Sequence, residues 1–487
     1  MKQAPSNRLR HLNDAPIETH GSYVLYWMTA FRRTGYNFAL QHAASLAREM
    51  DRPLLVLEAL RAGYPHASDR FHRFILDSMA DNQAALASTG AGYYPYVEPA
   101  PGDGRGLLNT LADKACVVVT DDYPCFFIPR MAQAAAQKIN VRMISVDANG
   151  LLPFQLEDKT FKTAASFRRF CQKNLLRELD QIPMARSVTP GALNPFTRLP
   201  AGVAKRWPKA SDGLLAGRSG LDQLKIDHSV TPVDLAGGSQ AGEIALESFI
   251  PHLDRYADGR NHPDENAVSN LSPYLHFGHI SSHQVFERVR ADQNWFPEQA
   301  APKANGSRAG WWGMSESAEA FLDQLITWRE IGFNMCRYRN DYDQYDSLPD
   351  WAQATLEAHA NDPRPYLYQY DELAEAQTHD PIWNAAQRQL LREGRIHNYL
   401  RMLWGKKILE WSPSPERAIE ILIRLNDRYA LDGRDPNSYS GIFWVLGRYD
   451  RPFGPERLIF GKIRYMSSAS TRRKLRMSRY LQEFGQD

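Results

Sequence analysis

Cysteine is scarce. Four occur in 487 residues, Cys116, Cys125, Cys171 and Cys336, with no CxxC pair and no framework spacing. Reduced thiols in a cytoplasmic protein are the simplest reading of that pattern. Long hydrophobic runs are missing as well: no stretch approaches the ~18 apolar residues of a membrane span, and the polar N-terminus around Asn7 to Asp14 offers no secretory apolar core. The chain therefore reads as cytoplasmic, with no membrane partner. Glycine-rich phosphate loops are absent too. Gly102, Gly104 and Gly106 lack both the GxGxxG spacing and a preceding strand, and GxxxxGK followed by Ser or Thr occurs nowhere, so phosphate-loop nucleotide binding has no support. Nor does charge of one sign prevail, since 58 Lys+Arg stand against 56 Asp+Glu.

What remains is a chain of ordinary soluble composition, 43% hydrophobic, too long for one core and suited to two or three domains. From Ser22 to about Pro153, short apolar runs alternate with helical patterns, the order expected of a parallel sheet covered by helices. Strands are predicted at 23–27, 54–57, 116–120 and 141–146, with amphipathic helices at 36–50 and 70–86. Residues 1–156 thus read as an α/β, Rossmann-like domain. Residues 157–238 are rich in Pro, Gly and Ser, including Pro183, Pro190, Pro195, Pro200 and Pro208, and read as an inter-domain linker. From 239 to 487 strand signals nearly vanish. Helical periods run through 321–338, 382–393, 397–410 and 415–426, which makes this an all-α domain.

Aromatics, 11 Trp with 22 Tyr and 21 Phe, concentrate toward the C-terminal half. Trp404 and Trp411 lie seven residues apart, hence on one helical face. Trp383 folds back between them if the two helices pack antiparallel across the turn at Gly394. Three neighbouring indoles make a hole-hopping route, but plain core packing fits the spacing at least as well. Asp427, Asp432 and Asp435 miss the ligand spacing of a calcium hand. Asp432 can instead pair with Arg401 and hold a polar cofactor edge, with Asn426 as an amide donor; a capped turn with surface ion pairs is the alternative. Ser272 before Pro273 reads as a helix N-cap suited to a pyrophosphate, and capping alone explains it almost as well. His276, His279 and His283 share a helical face without a carboxylate ligand, so no metal site is expected. The run 462–479 holds seven Lys and Arg and no Asp or Glu, which suits either phosphate contacts or a solvated face.

Taken in order, these segments resemble the photolyase/cryptochrome family over nearly the whole chain, in the wording of its class II branch. The resemblance rests on Tyr26, Trp27 and Met28 followed by Arg32 or Arg33, Asn37 and Ala39, and on TrpAsnAlaAlaGln from 383, LysLysIleLeuGluTrp from 406, LeuAspGlyArgAspProAsn from 431 and GlyLysIleArgTyrMet from 461. It implies FAD bound in the helical domain, with Tyr256, Ser269 and Ser272 near its phosphates and Asn384, Arg401, Asp432 and Asp435 around its polar edges. Asn426 matches the position facing flavin N5. Trp404, Trp383 and Trp411, in that order outward, match the photoreduction chain. Trp328 and Trp444 match the aromatic pair against a flipped-out pyrimidine dimer, and Met402 a residue beside it. UV-damaged DNA is the implied substrate, with Lys462, Arg464, Arg472 and Arg473 among its phosphate contacts. A monomer is the default, and an antenna, deazaflavin or folate, is compatible with the α/β domain, although no local motif chooses one.

Three departures bear on the substrate. Gln324 stands where the family has a glutamate that bonds the dimer, Tyr449 and Phe453 replace a histidine and a tryptophan, and Gly332 and Phe333 replace Ser and Asp. The implied function is light-driven repair of cyclobutane pyrimidine dimers by a deoxyribodipyrimidine photo-lyase. The alternatives are a cryptochrome-like photoreceptor that signals to a partner, or repair of another photoproduct.

Overall fold

Apolar and β-branched runs build the centre of the first part of the molecule, described here from a computed structural model covering residues 3–485. Six strands, Leu9–His11 (β1), Tyr23–Met28 (β2), Leu54–Leu60 (β3), Gly92–Val97 (β4), Ala115–Asp121 (β5) and Met143–Val146 (β6), form one sheet in the order β1-β6-β5-β2-β3-β4. Strands β2 to β6 are parallel. The sheet is nevertheless mixed, because β1 pairs antiparallel with β6, Leu9 opposite Val146. Neither β1 nor β4 is evident in the sequence, and β4 places a strand shortly before Gly102, where none was expected. β1 is three residues long, and β4 contains Gly92 and Pro95; proline is tolerated there because β4 is an edge strand.

Alternation sorts the β2 side chains to two faces. Tyr23, Leu25 and Trp27 join a core with Leu107, Leu111 and Ala136. On the other face the Tyr26 hydroxyl accepts from Asn37 Nδ2 at 3.2 Å, and Asn37 caps helix Phe38–Glu49 by accepting from the Ala39 and Leu40 amides.

The chain divides into two compact units, Met1–Asp158 with Asn174–Ser248 and Asn270–Ala291, and Lys159–Lys173 with Phe249–Ser269 and Asp292–Asp487. These boundaries differ from the division at 156 and 238 read from the sequence. Most of the Pro-rich stretch is packed with the α/β unit instead of linking two bodies. Its Trp207 is buried, accepts from the Tyr94 hydroxyl at 2.5 Å through its carbonyl, and donates from Nε1 to the Asp103 carbonyl at 2.9 Å. Irregular backbone with widely spaced apolar anchors has no period to read. Helical period, in turn, does not say which core a helix joins: Gly238 N donates to His279 Nδ1 at 2.9 Å and Arg288 pairs with Glu247 at 2.6 Å, all within the α/β unit.

In the helical unit, three helices start alike. Asp380, Ser414 and Asp435 each precede a proline, and their side chains cap Pro381–Glu393, Pro415–Tyr429 and Pro436–Val445 by accepting from first-turn amides. Gly394, at φ +68°, ends the first of these in the left-handed region and turns the chain toward helix Asn398–Trp411. The helix expected over 321–338 is broken into Glu316–Leu322, a π-helical turn Asp323–Trp328, and Arg329–Tyr338. Among the described residues no helix is long and apolar enough to cross a membrane.

Candidate functional site

The three tryptophans singled out in the sequence meet in the core of the helical unit. Trp383 lies against Trp404 with ring centroids 6.4 Å apart and planes 4° from parallel. On its other side it meets Trp411 edge to face at 5.6 Å. Each inner indole N–H has a partner that takes no proton: Trp383 Nε1 donates to the Trp404 carbonyl at 3.0 Å, and Trp404 Nε1 to Gln387 Oε1 at 2.9 Å. Trp411 is itself buried. Surface is reached through Tyr368 and His379, each 5.3 Å from Trp411, and Tyr366, 48% exposed and stacked on His379 at 3.7 Å. These outer residues escaped the sequence reading because Tyr366 and Tyr368 lie outside any helical period.

A polar cluster stands on the helix that carries Trp404. Arg401 Nη2 donates to both Asp432 oxygens at 2.9 and 3.2 Å, and Nη1 to Asn426 Oδ1 at 3.1 Å. Asn426 is buried and its amide donates to Ser438 Oγ at 2.5 Å. One turn before Arg401, the buried Nδ1 of His397 has no hydrogen-bond partner. Burial and nearby Arg395 lower the His397 pKa to about 4, while a backbone bond to Arg260 pulls the other way, so the ring is neutral at neutral pH. Arg260 in turn covers the Tyr256 ring at 5.3 Å. Tyr256 and His397 are thus each tied to Arg260, and Arg401 to Asp432 and Asn426. His397 was missed, since a lone histidine at a helix start carries no pattern of its own. Asn384 accepts from the Thr378 amide and hydroxyl at 3.1 and 2.7 Å, and Asp435 caps its own helix.

Gln324 and Trp328 both lie in the π-helical turn, and among residues 321–330 these two are half-buried while the others are buried. Such turns are rare and frequently sit at functional sites. The turn is anchored at its first residue, where Asp323 accepts from Arg168 at 2.6 and 3.1 Å. Met402 and Trp444 are likewise half-buried.

The sequence departures find a local account. A Cβ on Gly332 would come 2.6 Å from the Pro436 carbonyl oxygen and 2.7 Å from Ser440 Oγ, so glycine lets helices Arg329–Tyr338 and Pro436–Val445 approach. Tyr449 is buried beside the same contact, its hydroxyl 3.4 Å from the Ile331 carbonyl. Gly332 and Tyr449 thus both border the contact between these two helices.

Other expectations are altered. Ser272 is not a cap but the first residue of the short helix Ser272–His276; Leu271 holds the cap position in helical conformation without a side-chain bond. Ser272 belongs to the α/β unit and Ser269 to the helical one. His279 and His283 are packed against Phe74 and Phe38. Asp427 is buried with the Arg434 amide and the Tyr439 hydroxyl at 2.9 and 3.0 Å, and burial raises its carboxyl pKa. Among the basic residues, Arg472 and Arg473 are exposed, whereas Lys462 and Arg464 pair with Glu456 and Asp450 at 3.3 and 2.9 Å.

No family model matches the chain. In three dimensions it is similar to a bacterial class III photolyase from Agrobacterium tumefaciens, with a TM-score of 0.68 at 18% identity over 95% of this chain and 86% of that one. The fold is thus that of a photolyase. Along the sequence it is 34% identical over 478 residues to the deoxyribodipyrimidine photo-lyase of Methanothermobacter thermautotrophicus, covering 98% of this chain and 97% of that one. It is 32% identical over 475 residues to the protein of the same name from Potorous tridactylus, covering 96% and 82%. The chain belongs to the deoxyribodipyrimidine photolyase family.

Proposed function

We propose that this protein is a class II-like deoxyribodipyrimidine photo-lyase that binds FAD in the helical unit and repairs cyclobutane pyrimidine dimers in DNA under light. The observation that carries the reading is the stacked Trp404–Trp383 pair, with Trp411 edge to face against Trp383, on a helix whose Arg401 is held by Asp432 and Asn426. Its donor set fits a polar, bent dinucleotide: a fixed guanidinium, a buried amide, and the unsatisfied His397 nitrogen. When bound and reduced, FAD supplies on illumination the electron that opens the cyclobutane ring, and recovers it afterwards.

The chain's own residues orient and exclude water. Arg401 is held rigid by Asp432, so little side-chain entropy remains to be lost when it meets a ligand. Asn426 offers an amide whose direction is set by Arg401 and Ser438. Gln324, Trp328, Met402 and Trp444 would receive the extruded dimer, which is already weakly stacked and so costs less to flip than intact bases. Arg472 and Arg473 suit sequence-independent phosphate contacts.

The test is direct. Reduced, illuminated protein should restore the thymine absorbance of an ultraviolet-damaged oligonucleotide, and Gln324→Glu should raise the rate or leave it unchanged, because a carboxyl bonds the same carbonyl and an amide cannot supply a proton. Absence of turnover by both forms, with flavin bound, would end the repair reading.

A further inference from the structure

Helix Asn398–Trp411 carries one charged side chain with no exposed surface. Lys406 is 0% exposed, whereas its neighbour Lys407 reaches Glu410 at 2.7 Å. Lys406 Nζ donates to the Val445 carbonyl at 2.5 Å, at the C-terminal end of helix Pro436–Val445, where a cation also meets the negative pole of the helix. The same nitrogen lies 5.1 Å from the centre of the Trp444 ring, within the range at which an ammonium is attracted to an indole face. The Arg464 guanidinium is 5.7 Å from that ring and is bound to Asp450 at 2.9 Å. An aliphatic side chain of similar length would fill the space without the desolvation a buried charge suffers. Packing leaves the amine unexplained, and its contacts lead to Trp444.

We propose that Lys406 is a positioning residue for dimer binding, its buried ammonium fixing the Trp444 ring as one wall of the lesion pocket; this rests on the repair reading above. Few groups face the amine. Helix Pro436–Val445 presents only the Trp444 ring and the Val445 carbonyl, the following segment presents Asp450, which favours the charged form, and Arg464 opposes it. Burial outweighs both and lowers the Lys406 pKa from 10.5 to about 7. The side chain is therefore charged on the acid side of neutrality and neutral on the alkaline side. The grip on Trp444 weakens in the same direction.

The experiment is binding of the holoprotein to a duplex with one thymine dimer, measured against the same duplex undamaged, from about pH 6 to about pH 8.5. Wild-type discrimination should fall about threefold or more across that range, and Lys406→Met should lower it about three- to tenfold at the acid end and flatten the profile, the size of a partly desolvated cation–π contact. Added to Trp444→Leu, Lys406→Met should have no further effect, because it acts through that ring. If Lys406→Met keeps both the affinity and the pH profile of wild type, the proposal alone is overturned. If wild type does not distinguish damaged from intact duplex, the repair reading falls and takes the proposal with it. Should Lys406→Met fail to fold, as judged by bound flavin and circular dichroism, the wild-type profile decides, and a flat one overturns the proposal.

Discussion

Replacing Trp404 by Phe should leave FAD bound and the fold intact but stop light-driven reduction of the flavin by an external thiol. Trp404 lies one turn after Arg401 on the same helix, and Trp383 is its stacked neighbour at 6.4 Å. A benzene ring is much harder to oxidise than an indole, and a barrier higher by only about 3 kcal/mol already slows a step on the order of a hundredfold. The structural cost is small by comparison. Gln387 Oε1 loses its N–H donor, and an unsatisfied buried acceptor with a modest cavity costs about 1–3 kcal/mol. The measurement is the visible spectrum under steady illumination. Normal reduction in the variant would show that the hole leaves by another route, and the assignment of the three indoles would be wrong. Repair by protein reduced chemically beforehand should survive, which separates loss of the wire from loss of the site.

The second large effect concerns stability. Asp323→Ala should destabilise the helical unit by about 3–5 kcal/mol, because it strands a buried arginine. The side chains of Arg168 and Asp323 are each only 8% exposed and meet at 2.6 Å. Arg168 would keep its bond to the Gly306 carbonyl at 3.1 Å, but a neutral carbonyl does not replace the charge of the lost carboxylate. Denaturant unfolding measures the loss. The control is the double replacement Arg168→Met with Asp323→Leu, which removes both charges and should recover most of it. A loss below about 1 kcal/mol in Asp323→Ala would mean that the pair is effectively solvated. Function should suffer alongside, since Asp323 opens the π-helical turn that carries Gln324 and Trp328.

Particular residues mark how far the sequence could be read. Helix starts near Pro381 and Pro415 are legible because Asp-Pro and Ser-Pro pairs cap locally, and capping depends on neighbours two or three residues away, whereas the helix from Pro436 was not read from the sequence. The strands β2, β3, β5 and β6 are legible for a similar reason, as runs buried on both faces. Ser272 misled, because Asn270 at φ +56° and Leu271 in helical conformation start the turn one residue early. The π-helical turn left no mark in the spacing of apolar residues over 321–338.

By itself, then, the sequence determined four of the six strands, most of the C-terminal helical periods, the family and the presence of the three indoles, since these are written in periods, neighbours and motifs. Only the tertiary structure decided that Trp383 lies between Trp404 and Trp411, that Gln387 and His379 belong beside them, and that Gly332 and Tyr449 border one helix contact. It also decided that the Lys406 amine is buried against Trp444. Those relations join residues far apart in the chain, and their energies come from close packing and desolvation, which no local pattern encodes.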